Sequence, residues 1–352
     1  SRGLGDVYKR QVSNINLIKF EHKKINMARK RAESRTRYFI RTQSSKKAWD
    51  IKHVSKGGDF LEEQEIVNHF SDIGLGLNKP DFLVCLAGEP CMVIEAKNDM
   101  KKIDEAIKQA ISYANLINKT QKYKIKVIVG VAGEEDNGYL IEVKYLKDGK
   151  WLELKSRNYA LTAIPSKKEI ELALSANDGT TNVSIPSNSE FIDAALELSN
   201  ILRFAKIEAP LRPKIIGAIA LAMYQGEIDV NAKKALSSIN KLIKQAITES
   251  INLDKLKKAK LQAALSLTGN DYERLSSQIR RIVTILRRLN IRAVLHTDTD
   301  FLGLFYEAFL RYGYDNNALG IVFTPRHITK FCVELIEAKP NDRVIDIASG
   351  TG

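Results

Sequence analysis

Cysteine is scarce in this chain of 352 residues: Cys85, Cys91 and Cys332 are its three, and none has CxxC spacing. That excludes a disulfide framework and a cysteine zinc cage. Cys85 and Cys91 fall in apolar runs, where a thiol serves as a small hydrophobe, and a reducing, cytoplasmic setting is expected. The five histidines are scattered without ligand spacing, so no zinc site is read. Long apolar runs are missing too. The longest nearly continuous one, Ile215 to Tyr224, falls far short of the ~20 residues that span a bilayer, no signal peptide is apparent, and no membrane partner is expected.

Acid is short only at one end. Residues 1–58 hold 16 Lys/Arg against 4 Asp/Glu, which is +12 of the chain's net +13, so the rest is near neutral. Residues 1–11 resemble an in-frame translation of a transposase-type sequencing adapter, and residues 12–26 read as leader before a native start at Met27. Residues 27–45, with Arg29, Lys30, Arg31, Arg35, Arg37 and Arg41, read as a basic arm that either tracks phosphates or is solvated charge.

The residues with chemistry lie in Asn78 to Asn98. Two apolar, β-branched runs, Phe82 to Leu86 and Cys91 to Ile94, flank a turn with Gly88 and Pro90, which predicts a hairpin. Glu95 and Lys97 share a strand face. A four-residue loop puts Asp81 opposite Ala96, and a register one residue away puts it opposite Glu95 or Lys97; both stay open. Two carboxylates beside an ammonium suit Mg²⁺-dependent hydrolysis of a phosphodiester: oxygen ligands hold the ion, and the lysine orients or deprotonates a water.

Asp59 to Phe70 reads as a helix with Asp59 as its N-cap. Glu63 lies amid its apolar positions 60, 66, 67 and 70 and is the expected third acid of the site. Ile103 to Ile117 reads as an amphipathic helix with Gln109 and Tyr113 one turn apart. Pro80-Asp81 followed by Glu95-Ala96-Lys97 resembles the PD-(D/E)xK nucleases. The resemblance implies Asp81 and Glu95 as metal-binding acids, which Glu63 by its place on the helix would join, and Lys97 as catalytic lysine. Gln109 and Tyr113 match the Gln-x-x-x-Tyr found after the ExK strand in several restriction enzymes and RecB-like nucleases. Lys124 to Val131 as a buried strand, and Tyr139 to Leu146 with Trp151 to Leu154 as a hairpin closed by Asp148-Gly149, would complete a mixed sheet.

Beyond this domain, set at residues 46–165, residues 166–189 read as a linker because of their Asn, Ser, Thr, Gly and Pro186. Residues 190–312 read as an all-α connector without any acid, histidine or glycine constellation. In residues 313–352, Phe323-Thr324-Pro325-Arg326 precedes a helix, and Asp346-Ile347-Ala348-Ser349-Gly350-Thr351-Gly352 reads as a strand entering a glycine turn. Together these segments resemble the N6-adenine DNA methyltransferases of restriction systems, despite Ile347 and Ser349 where Pro and Cys are usual. The resemblance implies that Thr324, Pro325, Asp346, Ala348, Gly350 and Gly352 contact S-adenosylmethionine.

The order nuclease, helical connector, methyltransferase resembles the fused restriction-modification polypeptides of type IIG and BcgI-like subunits. The fold expected is α/β multidomain: a restriction-endonuclease-like α/β/α domain, an all-α connector, then the start of a Rossmann-like methyltransferase domain. The partners implied are double-stranded DNA and, in the BcgI-like case, a separate specificity subunit. The catalytic (N/D)PP(Y/F) motif of methyl transfer is expected beyond Gly352, so residues from about 321 are expected to dock loosely. A repair or recombination nuclease and a non-catalytic DNA-binding scaffold are the alternatives.

Overall fold

The computed structural model describes residues 33–156, 158–176, 179–181, 186–251, 253–269 and 272–295, and, beyond these, 303, 307, 324, 326–337, 339, 341–345 and 347. The adapter-like and leader segments therefore lie outside the described residues.

Short β-branched runs build a six-stranded sheet in sequence order: β1 (Phe60–Glu62), β2 (Phe82–Leu86), β3 (Glu89–Lys97), β4 (Val127–Glu134), β5 (Gly138–Lys147) and β6 (Lys150–Glu153). Neighbours are antiparallel except β3 and β4. That parallel pair needs a crossover, and the helix between them supplies it. The β5–β6 turn is Asp148-Gly149 with φ of 48° and 73°, the paired left-handed conformation that suits a two-residue hairpin.

Alternation sorts the sheet's side chains onto two buried faces. Leu83, Val93 and Ile128 meet Ile107, Ala110, Ala114 and Ile117. These last four lie on α3 (Ile103–Lys119), where spacings of three and four make one apolar stripe. Each fully buried isoleucine there contributes about 1.5–3 kcal/mol. The short α2 (Gln64–His69) adds Ile66 to the same layer. On the other face Phe82, Val84, Met92, Ile94, Val127 and Val129 pack with Phe39 and Ile40 of α1, described over 33–46, and with Ile170 and Ala173 of α4 (Lys167–Ala176). The arrangement is helix, sheet, helix.

Three sequence expectations are corrected here. Residues 33–45 are not a free basic arm: Thr36, Phe39, Ile40, Gln43, Ser44 and Lys47 are buried, a row at helical spacing whose four polar members hide its apolar character. The expected helix from Asp59 starts instead at Gln64, because Phe60-Leu61-Glu62 pairs with β2. Asp59 is therefore no N-cap; it is buried and accepts from Lys167 Nζ at 2.9 Å. Gly58 marks a close approach, since a Cβ there would sit 1.9 Å from the Lys52 carbonyl oxygen. Finally, 166–189 is not a bare linker. It forms α4 and β9 (Thr180–Thr181), and β9 pairs with β7 (Lys155–Ser156), which also pairs with β8 (Tyr159–Ala160).

A run of helices follows, with a core of its own: α5 (Asn188–Phe204), α6 (Arg212–Gln225), α7 (Ala235–Glu249), α8 (Lys255–Leu265), α9 (Glu273–Ser276), α10 (Ile279–Arg288) and α11 (Ile291–Val294). A Ser187–Glu190 capping box starts α5. The two cores are joined. Lys47 Nζ lies 2.7 Å from Glu190, both buried; Thr162 Oγ1 donates to Arg287 O at 2.8 Å; and the Arg288 guanidinium lies 5.7 Å from the Phe39 ring. The expected helix over 300–312 lies mostly outside the described residues. In α12 (Arg326–Ile336), Phe331, Val333, Leu335 and Ile336 are exposed. Among the described residues no helix is long and apolar enough to cross a membrane.

Candidate functional site

The hairpin settles the open register through a bulge. Ala87 and Gly88, with φ of 51° and 85°, make a two-residue turn. Leu86 therefore pairs with Glu89 and Cys85 with Pro90, but Val84 pairs with Met92, leaving Cys91 as the inserted residue. From there the ladder runs to Phe82 opposite Ile94, so its next step sets Asp81 opposite Glu95. Without the insertion Asp81 would face Ile94. One extra residue thus brings the carboxylates together, the use bulges commonly have beside functional sites.

The two acids are interlocked through backbone. Asp81 N donates to Glu95 Oε1 at 2.9 Å, and Ala96 N donates to Asp81 Oδ2 at 2.8 Å. Asp81, Glu95 and Lys97 continue the row of Leu83 and Val93, so they lie on the α3 side of the sheet. Glu95 is 3% exposed. Burial, then the charge of Asp81, pushes the Glu95 carboxyl well above the ordinary range. Burial also raises Asp81, against the backbone bond from Ala96 and the nearby cations Arg37 and Lys97. Two carboxyls so placed cannot both ionise cheaply.

Tyr113 and Gln109 are half-buried on α3. Burial raises the Tyr113 phenol, and the charges of Glu95 and Asp81 raise it further, so Tyr113 lies within the field of both acids. Gln109 instead lines a shallow depression with Lys101, Lys102, Asp104 and Lys108.

Glu63 is not a buried acid. It precedes α2 at φ 40°, its side chain is 54% exposed, and its carboxylate takes Arg37 Nη1 at 2.7 Å. Arg37 is the residue that sequence reasoning left in the arm. Its Nε lies 3.4 Å from Asp81 Oδ1, its Nη2 donates to the Asp81 carbonyl at 3.3 Å, and its guanidinium lies 5.5 Å from the centre of the Phe82 ring. Thr36, fully buried, donates to Gly133 O at 2.9 Å and Lys97 O at 3.5 Å, tying α1 to the ends of β4 and β3. The inward row 36, 39, 40, 43, 44 and 47 was the signal that could have revealed this helix. One turn on, Arg41 pairs with Glu62.

Among the described residues, no group of three or more His, Cys, Asp or Glu could hold a metal ion. A divalent ion at this site would rest on the acid pair alone. Cys85 and Cys91 are free and buried, and burial pushes the Cys85 thiol up to about 12; they pack as small hydrophobes. Thr324 is exposed, and Pro325, Asp346, Ala348, Gly350 and Gly352 lie outside the described residues.

Residues 297–352 match the family model N-6 DNA Methylase. The chain is 27% identical over 320 residues to "Type II restriction enzyme and methyltransferase RM.BcgI" of Heyndrickxia coagulans, an alignment covering 79% of this chain and 49% of that protein. The chain thus spans about half the length of the curated relative it matches. No solved structure matches it. The match to the N-6 DNA Methylase model thus falls in the last part of a chain whose likeness to a restriction enzyme and methyltransferase extends over most of its length.

Proposed function

We propose that the sheet domain is a Mg²⁺-dependent deoxyribonuclease of the PD-(D/E)xK type, joined through the helical domain to an S-adenosylmethionine-dependent N6-adenine DNA methyltransferase, as parts of a restriction-modification enzyme acting on double-stranded DNA. The observation that carries the nuclease reading is the bulge that sets Asp81 opposite Glu95 in a buried, mutually repelling pair, with Lys97 two residues on along the same face.

The pair fits Mg²⁺ by its chemistry. Mg²⁺ binds through one or two carboxylates and keeps several waters, whereas structural zinc needs four N or S ligands. Asp81 and Glu95 would hold the ion, and burial that penalises their charge favours an ion that neutralises it. Bound there, Mg²⁺ lowers the pKa of a water and stabilises charge on a phosphoryl group. Lys97 sits on the same face, able to orient or deprotonate the attacking water, and the backbone bonds at Asp81 and Ala96 fix both carboxylates before any ligand arrives. Tyr113 adds a phenol within the field of the acids, and Gln109, one turn away on α3, lines the depression beside Lys101 and Lys108. For the methyltransferase, Thr324, Pro325, Asp346, Ala348, Gly350 and Gly352 are the proposed S-adenosylmethionine contacts. A specificity subunit supplied in trans is part of the same proposal, by likeness to BcgI-like systems.

The test is nicking of supercoiled plasmid with Mg²⁺ or Mn²⁺ by the chain and by Asp81→Asn, Glu95→Gln and Lys97→Met. Wild-type nicking that disappears in all three variants supports the reading. Nicking that persists in any two refutes it, and a wild type that binds duplex DNA without nicking it favours the non-catalytic scaffold.

A further inference from the structure

We propose that Arg37 is the internal counter-cation of the acid site, a positioning residue that holds Asp81 while no divalent ion is bound and yields to one by shifting onto Glu63. This rests on the reading of Asp81 and Glu95 as divalent-cation ligands. Glu63 is thereby assigned as a receiver for Arg37 and not as a third ligand.

The geometry divides one guanidinium between two acids. Nη1 is 2.7 Å from Glu63, while Nε is 3.4 Å from Asp81 Oδ1. The Glu63 contact is a normal charge-assisted hydrogen bond. The contact with the Asp81 carboxylate is not: Arg37 Nε is buried and has no hydrogen-bond partner, so charge alone holds it to that carboxylate, while Nη2 reaches the Asp81 carbonyl at 3.3 Å. The side chains of Arg37 and Asp81 are 22% and 21% exposed, and that of Glu63 is 54% exposed. The weaker, drier half of the clamp thus faces the acid pair, and the stronger half faces water.

An arginine cannot relieve a new positive neighbour by losing its proton. A histidine in this place could neutralise; Arg37 can only move or oppose. Its backbone is pinned, because Thr36 beside it is buried and bonded to the ends of β3 and β4. Movement is left to the side chain, and Glu63 already holds its outer nitrogen. A divalent ion at Asp81 and Glu95 would take over the charge that Arg37 now supplies to Asp81. The guanidinium would keep Glu63 as its partner and leave a fork suited to a phosphodiester on the same rim.

Mn²⁺ titration by calorimetry, in the 352-residue chain, separates this role from a structural one. Arg37→Met should bind Mn²⁺ roughly fivefold more tightly, since the competing charge is gone. Glu63→Gln should weaken Mn²⁺ binding in the wild-type background, because the guanidinium then rests wholly on Asp81, and should have no effect in the Arg37→Met background. Unchanged or weaker binding in Arg37→Met overturns the proposal. So does equal weakening by Glu63→Gln in both backgrounds, which would make Glu63 a ligand. Should Arg37→Met not fold, Arg37→Lys, which keeps the charge, should stay within about twofold of wild type; a larger change in either direction refutes the lock. Asp81→Asn distinguishes the underlying reading: undiminished Mn²⁺ binding there sinks the metal site itself, whereas lost binding with an indifferent Arg37→Met sinks only the lock.

Discussion

Ile40→Ala tests whether α1 belongs to the sheet domain or is an arm laid upon it. Ile40 is fully buried among Phe39, Phe82 and the other residues on the α1 face of the sheet. The substitution removes three carbons, about 2.4 kcal/mol at ~0.8 kcal/mol per buried CH₂, and the cavity left behind brings the cost to ~3 kcal/mol, within the roughly 2–5 kcal/mol seen for such changes. The assay is urea unfolding followed by tryptophan fluorescence. Trp49 is well placed to report, being 3% exposed and donating to Pro165 O at 2.8 Å. Tyr38→Ala on the same helix is the control: Tyr38 is 72% exposed, so its loss should stay within about 0.5 kcal/mol. A cost below about 1 kcal/mol for Ile40→Ala, at unchanged urea dependence, would refute the placement of α1, and with it the placement of Arg37.

Two further outcomes follow. Asp81 and Glu95 are raised in the folded chain, so the native state holds protons that the unfolded chain releases; in chelator, stability should fall as pH rises above the ordinary carboxylate range. Urea midpoints between about pH 5 and 8 should show this slope, and Glu95→Gln should flatten it; an unchanged slope would contradict the buried pair. Lys47→Met should cost ~3–5 kcal/mol by stranding the buried Glu190 carboxylate, and Lys47→Met with Glu190→Gln should cost less, as read by thermal unfolding. A double variant as unstable as the single one would show that charge is not the cause.

What the sequence made legible was set by periodicity and turn chemistry. Phe82 to Leu86, Tyr139 to Leu146 and the Asp148-Gly149 turn could be read because each side chain there follows the rule of its element. Asp81, Glu95 and Lys97 stand out as candidates because charge at the end of an apolar strand is conspicuous. The bulge at Cys91 could not, since an inserted residue in a β-branched run leaves the pattern of residue types unchanged. Helix α1 was hidden for a different reason: Thr36, Gln43, Ser44 and Lys47 face inward, so its buried row is half polar. Strand β1 spans three residues, too few for alternation to outweigh the helical spacing of 60, 66, 67 and 70. Composition misled at 166–189, where Ile170 and Ala173 suffice to seat a helix on the sheet.

The central claim is that Asp81 and Glu95 together hold one divalent cation. Anomalous diffraction from crystals of the chain soaked in Mn²⁺ tests it most directly. The account predicts a peak within about 2.0–2.3 Å of a carboxylate oxygen from each residue, lost in Glu95→Gln. No peak at the pair, or one that survives in Glu95→Gln, would contradict it.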